Sequence, residues 1–183
     1  DRPDIITRVF KMKLKLLEED ITKNGIFGRR VAHLRVIEFQ KRGLPHAHIL
    51  IILRQEDRFQ TAEQVDNVVC AELPPAPESI FDDDPNEQDR RRDQAKRLED
   101  IVISSMVHGP CGNEAPSAPC MYNNDGEKSD KCSKGFPKEF QQFTVWDDNR
   151  TYPVYKRRSI AHGGREKILP NNKVIDNRYI VPY

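Results

Sequence analysis

The chain predicts an α+β fold, and three observations lead there. Two apolar-rich segments, about 31–40 and 46–53, flank the turn-forming run Lys41-Arg42-Gly43-Leu44-Pro45 and read as a β-hairpin. Residues 4–23 and 86–107 carry apolar side chains at helical spacing. From His108 to Lys138, Gly, Pro, Asn and Cys dominate, so little regular structure is expected there.

Each element has a local reason. Asp4 is placed to cap the first helix, Ile5, Val9, Met12, Leu16 and Ile21 approximate one apolar stripe, and Arg8, Lys11 and Lys15 fall on a solvated side. Asn24-Gly25 ends that helix with a pair that tolerates the left-handed conformation. Thr61 with Gln64 three residues on is a capping-box signature, followed by Val65, Val68, Val69 and Leu73 at helical spacing, although the β-branched pair at 68 and 69 keeps a strand open. Pro74-Pro75-Ala76-Pro77 breaks any element, and the acidic stretch after it reads as a surface loop. The charged helix 86–107 shows its apolar face late, in Leu98, Ile101, Val102 and Met106. Short β-like pieces are expected at Phe143 to Trp146, Tyr152 to Tyr155 and Tyr179 to Val181. The organisation expected is therefore 1–73 with the first helix and hairpin, an acidic mobile insertion over 74–90, and a remainder over 91–183.

Composition narrows the class. At 183 residues, with 37% apolar and 32% charged residues, the chain has room for one core, and a lean one. The net charge of +1 conceals segregated patches, acid at Asp82 to Asp84 and base at Lys11 to Lys15, Arg90 to Arg92 and Lys156 to Arg158. Overall charge thus makes no case for nucleic acid; only local patches can. No apolar run reaches the length of about 18 residues that spans a membrane. The opening Asp1-Arg2-Pro3-Asp4 has neither an initiator Met nor the apolar centre of a signal peptide, so an excised piece of a longer, intracellular protein is expected.

The hairpin carries the first candidate chemistry. Alternation along a strand sets His46 and His48 on one face, about 7 Å apart at Cα. With a five-residue loop, Lys41 to Pro45, Gln40 lies opposite His46 and Glu38 opposite His48; any odd loop length keeps these four on one surface and an even one removes Glu38. Leu50 and Ile52 continue the histidine face, which predicts a central strand covered on both sides. Two imidazoles and a carboxylate without thiolate suit Mn²⁺ or Mg²⁺ and also accept Zn²⁺ or Co²⁺. An open hard cation withdraws charge from a phosphodiester, and Lys41 and Arg42 could grip the flanking backbone. A bare His-x-His is common, and hydrogen-bonded strand histidines are the plain alternative.

His108, Cys111, Cys120 and Cys132 offer four tetrahedral ligands in a segment too polar to hold itself together, so structural Zn²⁺ is expected. Free buried thiols or a Cys111–Cys120 bridge are the alternatives. Cys70 stands apart on the expected helix as a small buried residue. Tyr155, Lys156, Arg157 and Arg158, with Tyr152, form either a strip that stacks bases and neutralises phosphates or a solvated strand end.

The run Glu38-Phe39-Gln40-Lys41-Arg42-Gly43-Leu44-Pro45-His46-Ala47-His48 resembles the histidine–hydrophobe–histidine motif of rolling-circle replication initiators, and most closely the Helitron helicase-like domain of Helitron transposases. The likeness continues through His108-Gly109-Pro110-Cys111-Gly112, Pro119-Cys120-Met121, Lys131-Cys132-Ser133-Lys134-Gly135-Phe136-Pro137-Lys138, Tyr152-Pro153-Val154-Tyr155-Lys156-Arg157-Arg158 and Asp176-Asn177-Arg178-Tyr179-Ile180-Val181-Pro182-Tyr183; the acidic stretch 74–90 is not part of it. The resemblance implies an HUH/Rep nuclease-like central antiparallel sheet with flanking helices and a zinc-held Cys-rich insertion. It implies nicking and joining of single-stranded DNA through a phosphotyrosine that conserves bond energy without ATP, a helicase domain in the same polypeptide, and a nuclear location. It places the nucleophilic tyrosine on a helix downstream of Tyr183, so no catalytic residue is expected within these residues, whose tyrosines flank prolines and do not suit a helix interior. A non-catalytic single-stranded DNA-binding remnant is the second reading, and a small-molecule metalloenzyme with an enclosed apolar pocket is the third.

Overall fold

The computed structural model describes residues 2–39, 43–109, 111–123, 125–146 and 152–183. It is a mixed helix and strand structure that divides into two compact units, Asp1–Gln60 and Thr61–Tyr183, with helices α1 (Pro3–Glu19), α2 (Ala62–Asp66) and α3 (Pro85–Ser105) and strands β1 (Arg30–Phe39), β2 (Pro45–Leu53), β3 (Glu166–Ile168) and β4 (Val174–Asp176).

In the first unit, α1 starts one residue ahead of the expected cap. Arg2 is the N-cap, Pro3 takes the first helical position, where its missing N–H costs nothing, and Asp4 sits in the first turn paired with Arg2 at 2.8 Å. A π-helical turn, Asp20–Asn24, extends the helix, and Gly25 closes it in the left-handed conformation at φ 63°. Of the stripe named from sequence only Ile21 is buried. Leu14 and Ile21 are buried, whereas Ile5, Val9, Met12 and Leu16 are exposed. The contact phase is instead set by Phe10 and Leu14, which line crevices with Ile37, Phe39, Pro45 and Ile49, and by Glu18, which accepts from Arg35 Nη1 at 2.7 Å.

β1 and β2 pair antiparallel, with Glu38 opposite His46, Val36 opposite His48, Leu34 opposite Leu50 and Ala32 opposite Ile52, and with a bulge between Arg30 and Ala32. The observed register is two residues off the expected one. Glu38 meets His46 rather than His48, yet the shift is even, so the carboxylate stays on the histidine face. Ahead of β1, Asp57 accepts from the Arg29 backbone N–H at 2.5 Å and from its guanidinium at 2.9 Å, bonds that pull its carboxyl down to about 2. Gly28, at φ 105°, belongs to this clasp: a Cβ there would lie 3.0 Å from that of Asp57.

The expected covered, central strand is not what forms. Among the described residues the two sheets are two-stranded, β1-β2 and β3-β4, and the histidine face of β2 is open, with Leu50 58% and Ile52 40% exposed.

The second unit is built around Leu73, Val102, Ile175 and Ile180, with Met106, Tyr179 and Tyr183 packed against them. The Thr61–Gln64 capping box forms as expected, but α2 stops at Asp66. Cys70 therefore lies outside a helix, its backbone exchanging hydrogen bonds with Tyr183 at 2.8 and 2.9 Å. The stretch read as an acidic loop has a buried Pro74, a 3₁₀ turn at Pro77–Ser79, and Asp84, whose side chain caps α3. The tail forms single bridges, Val145 to Val154, Gln141 to Arg157 and Val107 to Ile180, where short strands were expected. Its regular pairing is instead Lys167 opposite Ile175, between β3 and β4.

A buried polar network crosses this unit. Asn177, 1% exposed, accepts from Leu73 N–H at 2.8 Å and donates to Glu72 and to the Arg158 carbonyl. Gly164 is required here, because a Cβ would come within 2.0 Å of that same carbonyl oxygen. Glu99, nearly buried on α3, is clasped by Arg165 and by Lys167 at 2.9 Å. Burial alone would raise its pKa, but Lys167 and Arg165 together hold it below the ordinary value.

Candidate metal centres

Strand alternation presents Glu38, His46 and His48 on the face of the hairpin opposite the one lined with α1. All three are exposed; Glu38 Oε2 lies 3.3 Å from His48 Nε2, and the two imidazole rings are 4.7 Å apart, edge to face. A carboxylate and two neutral ring nitrogens fit a hard or borderline divalent cation, and an open face leaves coordination positions for water or a phosphate oxygen. Around them Leu34, Val36 and Leu50 are all more than half exposed, an apolar floor without a lid among the described residues. Gln40, Lys41 and Arg42, expected beside this site, lie outside the described residues.

The cysteine-rich segment assembles a second, tighter group. One ligand atom from each of His108, Cys111, Cys120 and Cys132 lies within 4.8 Å of every other. Tetrahedral zinc with Zn–S near 2.3 Å sets its ligands about 3.7 Å apart, so a small contraction completes the site. Cys132 Sγ and His108 Nε2 are already 3.3 Å apart. Sequence-distant elements hold this geometry: His108 N–H donates to the Tyr179 carbonyl, and Ser133 N–H to that of Cys120. Gly135 N–H donates to the Cys132 carbonyl and Lys134 N–H to the Cys132 sulfur at 3.4 Å. Burial, together with hydrogen bonds to Cys132 and Cys120, pushes the Cys111 thiol up to about 12; Cys120 is also raised, by burial first, while Cys132 is lowered against its own burial by the backbone N–H groups of Phe136 and Lys134. Burial lowers His108, which keeps the imidazole neutral and available as a ligand. Such a group could hold a metal such as zinc, and with all four positions filled by protein the role would be structural rather than catalytic.

Within the basic strip Arg157 turns inward, and its two basic neighbours are ion-paired. Lys156 Nζ pairs with Asp66 at 3.0 Å and Arg158 binds Glu72 bidentately, the closest approach being 2.6 Å. Arg157, 5% exposed, points Nη1 at the carbonyls of Ala71, Asn177 and Ile180. Tyr155 stays half-buried and lines a cleft with Phe136 and Lys138. Sequence reasoning assigned no role to Phe136, which stacks on His108 at 4.3 Å; the Lys-Gly-Phe-Pro-Lys run beside Cys132 was the available signal.

Residues 1–51 match the family model of the Helitron helicase-like domain at N-terminus. The Helitron match ends inside β2 and takes in Glu38, His46 and His48. It supports the Helitron helicase-like domain identified from the motifs, and suggests a transposase-associated role and a helicase-containing parent. No curated protein matches the chain. No helix among the described residues is long and apolar enough to cross a membrane.

Proposed function

We propose that the chain is the metal-binding part of a rolling-circle transposase endonuclease that nicks and joins single-stranded DNA in the nucleus. The observation that carries this reading is the open face bearing Glu38, His46 and His48 inside the segment that matches the Helitron family. Mn²⁺ or Mg²⁺ held there would supply Lewis-acid polarisation of a phosphodiester. The chain's own share is to fix two imidazoles and a carboxylate by strand register and to leave their outer side accessible. Lys41 and Arg42, which lie between β1 and β2 in the sequence, are proposed to hold the backbone of the DNA. Zn²⁺ in the His108–Cys132 group would staple the second unit, whose polar segment has few apolar residues of its own.

None of the five tyrosines lies on an α-helix, so this reading assigns no nucleophile within residues 1–183. The same fact favours the second reading, a single-stranded DNA binder that does not cut. Calorimetric titration with Mn²⁺ tests the metal site. The wild-type chain is expected to bind one ion in the first unit, and His46→Ala with His48→Ala is expected to lose it with the far-ultraviolet circular dichroism unchanged. Equal Mn²⁺ affinity in the double variant would overturn the assignment. A covalent DNA adduct on this chain would show that a nucleophile had been overlooked.

A further inference from the structure

A cleft of about 700 Å³ opens in the second unit beside the cysteine group, and neither metal centre accounts for it. Flat or rigid apolar groups form its walls, chiefly Phe136, Tyr155, Pro153 and Pro182. Two ammonium groups line it, from Lys134, which is exposed, and Lys138, half-buried. Lys138 Nζ sits 4.8 Å from the Phe136 ring centroid and donates to the Lys134 carbonyl at 2.8 Å, which leaves two of its three donors for a ligand. Among the described residues the cleft has a single carboxylate, Glu139, and Arg157 is committed to backbone carbonyls. Along the adjoining segment 128–138 four lysines stand against one aspartate.

Volume, flat apolar walls and an excess of ammonium groups together describe a ligand that is planar on one side and anionic on the other. A nucleotide of an unpaired strand has that chemistry, whereas a stacked base pair presents no free face to such a slot. Burial raises the Tyr155 phenol, so it stays neutral beside a phosphate, and no hydrogen bond among the described residues uses its hydroxyl. The Phe136 wall is braced by the His108 ring at 4.3 Å and an 18° tilt, which makes the slot preformed.

We infer that this cleft is a stacking pocket for an unpaired base of single-stranded DNA, with Lys134 and Lys138 on the flanking phosphates. The inference rests on the proposed function for its choice of DNA; of the strip read from sequence it keeps Tyr155 as the stacking residue, and it adds Phe136, Lys134 and Lys138.

Fluorescence anisotropy with a fluorescein-labelled deoxythymidine dodecamer tests it on the whole chain. Tyr155→Leu is expected to weaken binding about tenfold, the usual loss for one stacked base, and Tyr155→Phe to stay within about twofold. Lys134→Ala with Lys138→Ala should weaken binding and reduce the salt slope by about 1.4, which is two phosphates on a single strand. An abasic dodecamer should bind like the Tyr155→Leu pairing, and a blunt duplex of the same sequence more weakly than the single strand. Wild-type affinity in both cleft variants, or equal affinity for the abasic probe, would overturn the pocket while leaving the transposase reading to be decided by the Mn²⁺ titration. Tighter binding of the duplex would also overturn it. The lysine pair and the abasic probe keep the test decisive even if Tyr155→Leu fails to fold.

Discussion

Replacing Arg157 by Met should destabilise the second unit by about 3 kcal/mol. Two N–H groups on Nη1 serve three carbonyls, of Ala71 at 3.2 Å, Asn177 at 2.7 Å and Ile180 at 2.6 Å, in a residue 5% exposed. Hydrogen bonds from a charged donor contribute about 1.5–3 kcal/mol each, so two full bonds give about 3–6. Against this stands the desolvation of the guanidinium, which Met escapes and which already lowers the pKa of Arg157. The carbonyls left behind remain buried and cannot all recruit water, so the balance stays well on the destabilising side. Urea unfolding followed by the single tryptophan, Trp146, reports this unit directly. With a slope of about 1–2 kcal/mol per molar urea, the midpoint should fall by about 1.5–3 M. A loss below about 1 kcal/mol would show that the three carbonyls do not depend on Arg157, and would return the strip Lys156 to Arg158 to a surface role.

Two further outcomes follow from the ion pairs and thiols. The depressed pKa of Glu99 means that its clasp with Lys167 and Arg165 contributes fully above the unfolded carboxyl value, near 4.3, and is lost as pH falls through the lower folded value. Glu99→Gln should therefore flatten the acid limb of a stability–pH curve measured below about pH 5, and a limb as steep as wild type would refute the pairing. Zinc uptake requires thiolates, and the raised Cys111 and Cys120 thiols are protonated at neutral pH. Affinity for Zn²⁺, measured by competition with a chromophoric chelator, should rise with pH near neutrality by at least about a hundredfold per unit, since Cys111 and Cys120 each give up a proton, and Cys132→Ser should abolish stoichiometric uptake. A pH-independent affinity would mean that these thiols are not the ligands.

Local signals carried much of the fold into the sequence. The hairpin follows from period-two apolar residues around a Gly-Pro turn, and the Thr61–Gln64 box forms from a four-residue pattern alone. The four side chains at 108–132 that could hold a metal were visible because Cys and His have few other reasons to gather. What stayed hidden depends on partners far along the chain. Lys156 to Arg158 look like a surface run until Asp66, Ala71, Glu72 and Asn177 are brought to them from up to 90 residues away. The phase of α1 was misjudged because a helix with apolar residues on more than one side has its buried face chosen by the neighbour, here Phe10 and Leu14 against Ile37 and Pro45. β3 and β4 are three residues each, too short for any alternation to register.

The pairing of Phe39 with Pro45 leaves five residues to make the bend between the strands. Because successive side chains point to opposite faces, adding or deleting one residue in that bend would swing Glu38 to the side facing α1 while both histidines stayed put. Adding or deleting two would restore it. On the proposed reading of Glu38, His46 and His48 as ligands, natural drift in this bend should therefore proceed in pairs, and an odd change of length would mark a copy unable to bind the cation with all three residues intact.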